Sequence, residues 1–348
     1  MQAENEFLQE EHQEEIYEKK FFIIDKGQEP LRIDKWMYAR MENVTRNKIQ
    51  QGIDEGFLTV NGHTVKSNYR VKPNDEIVWI MLVNPEISEI APENIPLDIV
   101  YEDDDVLVVN KAAGMVVHPA YGNYSGTLVN ALMYHLKDLP LFSSGEARPG
   151  LAHRIDKNTS GILVVAKNEI ALNRLSRQFY ERTTDRRYQA LVWGSPNPAD
   201  GTITGHVGRN IRDRKIMQVF EDGSDGKPAI THYKTLENLG YITLVECKLE
   251  TGRTHQIRVH FSHIKHPIFN DEEYGGNQIL KGTTFTKYQQ FVKNCFSMLP
   301  RQALHAKSLA FNHPVTNERL SFDTELPEDM KLVIEKWKKY ISGRELEE

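Results

Sequence analysis

The chain has 348 residues, 39% of them apolar and 26% charged, with a formal net charge of −6. That is the composition of a soluble globular protein, and no apolar run approaches the ~18–20 residues needed to cross a bilayer. The opening Met-Gln-Ala-Glu-Asn-Glu lacks the basic and apolar blocks of a signal peptide, and two cysteines without a Cys-x-x-Cys exclude a cysteine-built zinc site, so a cytoplasmic chain with two core thiols, Cys247 and Cys295, is expected.

Residues 1–20 hold seven Glu and two Lys and read as a disordered acidic tail. Three more Glu and one Arg close the chain, so residues 21–343 carry a net charge of only +1. The acidic total therefore does not exclude a basic face on the body of the protein.

Residues 21–83 form the first expected domain. Ile33, Trp36 and Met37 are spaced as on one helix face, and Thr45 is placed to cap a helix over 46–55 that Gly56 can close. Phe57-Leu58-Thr59-Val60 and Thr64-Val65 flank Asn61-Gly62, a strong hairpin signal. Glu76 to Ile80 supplies a further strand. Between 31 and 80 there are eight Lys/Arg against six Asp/Glu, so this unit is mildly basic. Residues 84–97 contain three prolines and no periodicity, and read as a linker.

From 98 to 343 the pattern is one α+β domain. Val106–Val109 and Ile162–Ala166 are buried strands, and Thr127–Lys137 and Glu169–Arg182 are amphipathic helices. Strands follow near 188–193, 201–207, 229–236 and 241–250. A helix begins near Thr254 and another covers 327–342. Short turns between strands and irregularly placed helices predict a mostly antiparallel mixed sheet with flanking helices.

Three segments could carry chemistry. His153-Arg154-Ile155-Asp156-Lys157-Asn158-Thr159-Ser160-Gly161 is a polar run directly before a buried strand, a favoured position for functional groups; it also reads as a turn in which Asp156 caps local amides. In Asp185-Arg186-Arg187-Tyr188, the tyrosine opens a strand behind two arginines, and its bland reading is a core aromatic. In Thr251-Gly252-Arg253-Thr254-His255-Gln256-Ile257-Arg258, Thr254 is the expected N-cap, and Arg253 at the positive helix end suits a carboxylate or phosphate. Ile257, Phe261 and Ile264 recur at helical spacing and face the core. His260, His263 and His266 are evenly spaced, but no carboxylate completes a ligand set before Asp271, so no metal site is expected.

Two resemblances join these segments. The spaced pattern around Arg32, Asp34, Thr45-Arg46, Ile49-Gln50, Asn61-Gly62 and Val65-Lys66 through Asp75 resembles the small αL-type RNA-binding domain named after ribosomal protein S-four. By that resemblance Arg46, Lys48, Gln50, Lys66 and Arg70 would face RNA phosphates. The motifs at 106–119, 153–167, 186–194, 251–260 and 266–276 resemble the RluA type of RNA pseudouridine synthases over about 98–325. An S-four-type domain ahead of such a core resembles the ribosomal large-subunit subgroup. Two departures are Ala112, where proline is usual, and Asn270, where glycine is expected.

The resemblance implies the pseudouridine synthase fold and isomerisation of uridine in structured RNA, with ribosomal RNA the expected partner and transfer RNA the alternative. It implies Asp156 as nucleophile, Tyr188 stacked on the target base and active in proton transfer, and Arg253 paired with Asp156. Arg154 would fill the space left by the flipped base, with His255, Gln256 and Arg258 also toward RNA. A monomer without cofactor is expected. Competing readings are a non-catalytic RNA-binding assembly factor and a retaining glycoside hydrolase; the latter needs a second carboxylic acid, for which the three segments offer only Glu250 and Asp185.

Overall fold

The computed structural model describes residues 17–41, 46–54, 56–82, 90–119, 123–143, 150–210 and 216–345. The chain divides into two compact units, Met1–Ser88 and Glu89–Glu348.

The first unit contains β1 (Tyr17–Ile23), α1 (Ile33–Tyr38), α2 (Arg46–Asp54), β2 (Leu58–Val60), β3 (His63–Thr64) and β4 (Glu76–Leu82). Its sheet runs β1-β4-β2-β3, antiparallel throughout. Ile33, Trp36 and Met37 of α1 meet Ile49 and Ile53 of α2 over Leu58, Ile77 and Trp79, so the helical spacings do assemble one core. Asn61 and Gly62 both have positive φ, 51° and 78°, which is the backbone a two-residue hairpin turn requires. Gly56 ends α2 with φ 81°. Residues 17–20, expected in the acidic tail, instead belong to β1, because Tyr17–Ile23 pairs residue by residue with β4. Thr45, read as a helix cap, lies outside the described residues, as does the side chain of Lys48.

In the second unit the strands are β5 (Ile99–Glu102), β6 (Val106–Lys111), β7 (Ser160–Ala166), β8 (Asp185–Trp193), β9 (Asp200–Arg209), β10 (Met217–Phe220), β11 (Lys227–Asn238), β12 (Ile242–Leu249), β13 (Leu304–Asn312) and β14 (Arg319–Asp323). The helices are α3 (Leu128–His135), α4 (Pro140–Ser143), α5 (Glu169–Glu181), α6 (Gln256–His263), α7 (Thr286–Met298) and α8 (Glu328–Glu345). The sheet order is β10-β9-β11-β12-β8-β13-β7-β6-β5, with β14 beside β13. Only the β7–β13 pairing is parallel among the described strands, which is the mixed, mostly antiparallel sheet expected.

Strands β6 and β7 read as unbroken apolar runs because both of their faces are covered. Leu107, Val109, Leu163 and Val165 face a core shared with α3, α7 and α8; Val106, Val108, Ile162 and Val164 face a second core under α5. Thr127 caps α3 reciprocally with Asn130. Cys247 and Cys295 are free and buried. The second half of the expected linker is not a spacer: Ile90 is buried, Glu93 N–H donates to Asn130 O, and Asn130 Nδ2 donates to Ala91 O. Strands β13 and β14 and helix α7 had no clear signal in the sequence.

Gly161, the second residue of β7, holds φ at +118°, and a Cβ there would overlap the Ala306 carbonyl of β13. Gly161→Ala is expected to destabilise the second unit by ~2–4 kcal/mol through backbone strain and overpacking. Chemical denaturation of the variant against the parent chain measures this.

Candidate active site

The loop before β7 is bolted from two sides. Lys111 Nζ, at the end of β6, donates to the carbonyls of Ala112 (2.8 Å), Met115 (2.8 Å) and Lys157 (3.0 Å). Arg301, just before β13, donates to Asn158 O at 3.1 Å and pairs with Asp329 at 2.7 and 2.9 Å. Burial pulls the Lys111 ammonium down to about 7, against the opposing pull of Asp156. Thr159 N–H closes the turn onto Asp156 O at 3.1 Å, and Ile155 is buried beneath it. The Asp156 side chain is left 21% exposed, reachable from a cavity of about 510 Å³ that the three sequence segments line together.

The guanidinium that faces Asp156 is Arg258's, not Arg253's. Arg258 Nη1 lies 3.4 Å from Asp156 Oδ2, while Nε and Nη2 grip Asp271 at 2.7 and 2.8 Å and Nη2 also meets Glu273. Burial opposes the charge on Arg258, but Asp271, Asp156 and Glu273 outweigh it and raise the guanidinium above its ordinary value. Arg258, expected from the motif toward RNA, is only 4% exposed and spends its guanidinium on these three carboxylates at the cavity wall. Arg253 lines the cavity, and its Nε donates to Pro228 O at 3.1 Å.

Helix α6 starts at Gln256 rather than Thr254. His255 stands at the cap position with φ 54° and no side-chain cap bond. Gln256 instead braces the segment that leads into the helix: its Oε1 accepts from Arg253 N–H (3.0 Å) and Thr251 Oγ1 (2.7 Å). Its Nε2 donates to Ile230 O and Thr231 Oγ1. Gln256 is therefore a buried brace, not a group free for RNA. His255 stays on the cavity wall, with Nδ1 2.9 Å from the Tyr274 hydroxyl.

Tyr188 does not open β8; it is the fourth residue of a strand that starts at Asp185, because Arg187 is held in the strand by Asp185 and by Glu246 of β12. Alternation along the strand puts Arg186 and Tyr188 on one face. Both line the cavity. Burial pushes the Tyr188 phenol above its ordinary value, with Arg186 pulling the other way. Arg154 is exposed on the cavity's edge. Arg186, which the sequence reading passed over, is the buried basic group of this wall; its alternation with Tyr188 was the available signal.

The three evenly spaced histidines separate. His260 meets Thr231 Oγ1, His263 meets Glu221, and His266 meets Trp193 O. Among the described residues Asp103, Asp105 and His313 have ligand-like spacing, but His313 Nδ1 accepts the amides of Val315 and Thr316. Its proton is then on Nε2, which donates to Asp103 at 3.0 Å, so this cluster is a structural brace. Asn270 holds φ at 57°, a left-handed backbone that asparagine tolerates; its Nδ2 reaches Leu299 O at 2.6 Å. That accounts for asparagine where glycine is expected.

Comparison with known proteins decides the family. Residues 105–263 match the RNA pseudouridylate synthase family and residues 31–77 the S4 domain. An uncharacterised RNA pseudouridine synthase of Chlorobaculum parvum is 50% identical over 315 residues, covering 90% of this chain and 96% of that protein. The chain belongs to the RNA pseudouridine synthases. The synthase is also 41% identical to ribosomal large subunit pseudouridine synthase D of Zymomonas mobilis, over 87% of this chain and 92% of that one. Its RluA-type core carries an S4 domain in front, as the motifs implied. A human RNA pseudouridylate synthase domain containing 4 shares the fold, with a TM-score of 0.52 and 23% identity over 69% of this chain and 92% of that one.

The two arginines separate in a direct comparison. Arg258→Met leaves fully buried Asp271 unpaired, and is expected to lower the stability of the synthase by ~3–5 kcal/mol along with its activity. Arg253→Met is expected to leave stability within ~0.5 kcal/mol and to affect RNA turnover alone. Denaturation curves and pseudouridine assays on both variants read the difference.

Proposed function

We propose that the synthase isomerises specific uridines in folded large-subunit ribosomal RNA, with the Asp156 carboxylate as nucleophile on a flipped-out uridine. The observation that carries this reading is the convergence of Asp156, Tyr188 and Arg258 around one cavity, in a chain whose relatives include a ribosomal large subunit pseudouridine synthase. Extruding the uridine from a stem costs a few kcal/mol. Stacking on an aromatic such as Tyr188 returns ~1–3 kcal/mol, and Arg154 at the cavity's edge is placed to occupy the vacated space in the RNA.

In the net reaction the N1–C1′ bond breaks and a C5–C1′ bond forms. The C5 hydrogen leaves and a proton ends on N1. Asp156 bonds transiently to the nucleoside and departs as carboxylate. Tyr188, with its phenol kept protonated by burial, is the group we assign to the proton exchange. Atoms and electrons are conserved, so the chemistry calls for no redox partner. Arg258 holds Asp156 by one long contact and its other carboxylates by short ones, which fixes the direction of the nucleophile without enclosing it.

In the first unit Arg46 and Gln50 turn to Asp34, at 2.8 and 2.6 Å. Burial would raise the Asp34 carboxyl, but Arg32, Arg46 and Gln50 outweigh it and hold it well below the usual range. We therefore assign the phosphate contacts of this unit chiefly to Lys66 and Arg70, both exposed. A cytoplasmic monomer acting on ribosomal RNA is the setting we propose.

Asp156→Asn is expected to abolish pseudouridine formation while RNA binding stays nearly intact; substantial residual turnover rules out the nucleophile assignment. Lys66→Ala with Arg70→Ala is expected to weaken RNA binding and to flatten the log–log salt dependence by about one to two units. Filter binding across a salt series tests that, and an unchanged slope removes these residues from the RNA contact.

A further inference from the structure

Buried arginines in the second unit come with their countercharges. Arg258 has three carboxylates and Arg301 has Asp329. Arg186 is the exception. It is 8% exposed, its Nε is buried without a hydrogen-bond partner, and among the described residues its guanidinium meets no carboxylate. Its guanidinium lies over the Phe179 ring, with Cζ 5.5 Å from the centroid. His153 stacks on the same ring at 4.4 Å and offers no negative charge; its Nε2 accepts the Val164 amide. Gly252 gives Arg186 its space, since a Cβ there would sit 2.8 Å from Nη1.

An uncompensated cation in a desolvated place is costly, and a fold tolerates it where an anion arrives with the ligand. Arg186 lines the cavity on the same strand face as Tyr188. The uracil that enters is neutral. The anion that must travel with a flipped nucleotide is a phosphodiester of its own backbone. A guanidinium matches phosphate in a forked, charge-assisted geometry that lysine does not reproduce.

We propose that Arg186 is a positioning residue that binds a phosphodiester flanking the flipped uridine and so sets the depth at which the base meets Tyr188 and Asp156. The proposal rests on the reading of this cavity as the uridine site. It is separate from the proposed S4-domain phosphate contacts, because it concerns one phosphate beside the reacting nucleotide rather than the general charge of the RNA.

The test is a cycle between protein and RNA. The substrate is a short stem-loop transcript containing a uridine that the full-length synthase converts, with a neutral methylphosphonate at the phosphate on either side of it. Neutralising the engaged phosphate should lower kcat/KM of the parent enzyme by about 10- to 100-fold. Arg186→Met should lower it similarly on the unmodified RNA and lose less than a further twofold on the methylphosphonate. Arg186→Lys, which keeps the charge but not the fork, should recover part of the loss. Losses that multiply in the double combination, or full activity of Arg186→Met, overturn the proposal; a contact to the uracil carbonyls gives the first of these. If Arg186→Met does not fold, the same cycle run with Arg186→Lys decides it. Failure of the parent enzyme to convert any unmodified uridine in such RNA would instead sink the catalytic reading itself.

Discussion

One guanidinium holds the catalytic unit's chemistry in place. Arg258 projects from α6 into a space shared by the Asp156 loop and the 271–273 segment, and it binds one carboxylate of the first and two of the second. Its shorter bonds go to Asp271 and Glu273, and its longest goes to Asp156. The inequality matters for the nucleophile role proposed for Asp156: a carboxylate locked in two short ion pairs would be a poor attacker, whereas Asp156 meets the guanidinium at 3.4 Å and lines the cavity. The remaining supports, Lys111 and Arg301, act on the loop's backbone carbonyls and leave the carboxylate alone.

The general plan was legible because local chemistry and global fold agree over most of the chain. The double-faced apolar runs at 106–109 and 162–166 could only be interior strands, and Asn61-Gly62 could only be a tight turn. The polar run at 153–160 stood out because it interrupts such strands. What misled was helix starts and cation partners. Thr254 has the right side chain for a cap, but the helix begins one residue later, behind His255 in a left-handed conformation. Arg253 and Arg258 are equally plausible partners on paper; which one meets Asp156 depends on the direction in which the α6 backbone leaves left-handed His255.

The same limit explains the first unit. A basic residue in an RNA-binding pattern looks like a phosphate contact until a buried acid claims it. Asp34 is such an acid: it draws Arg32, Arg46 and Gln50 together and ties α1 to α2. Burial of Asp34 follows from its place between Ile33 and Trp36, but two of its three partners sit twelve and sixteen residues away and have no periodic signature.

Strand β13 lies between β7 and β8 although it is made about 140 residues after β7. The Asp156 loop thus depends on a late-arriving element: Arg301 reaches back to Asn158, and His305 to Ser160. Such sequence-distant contacts carry a large loop-closure entropy and form slowly. A nascent chain emerging from the ribosome can complete its S4 domain early, while the Asp156 loop waits for Arg301 and β13. During that interval the edges of β7 and β8 stand unpaired, so this is the stage at which the polypeptide is most exposed to misassociation.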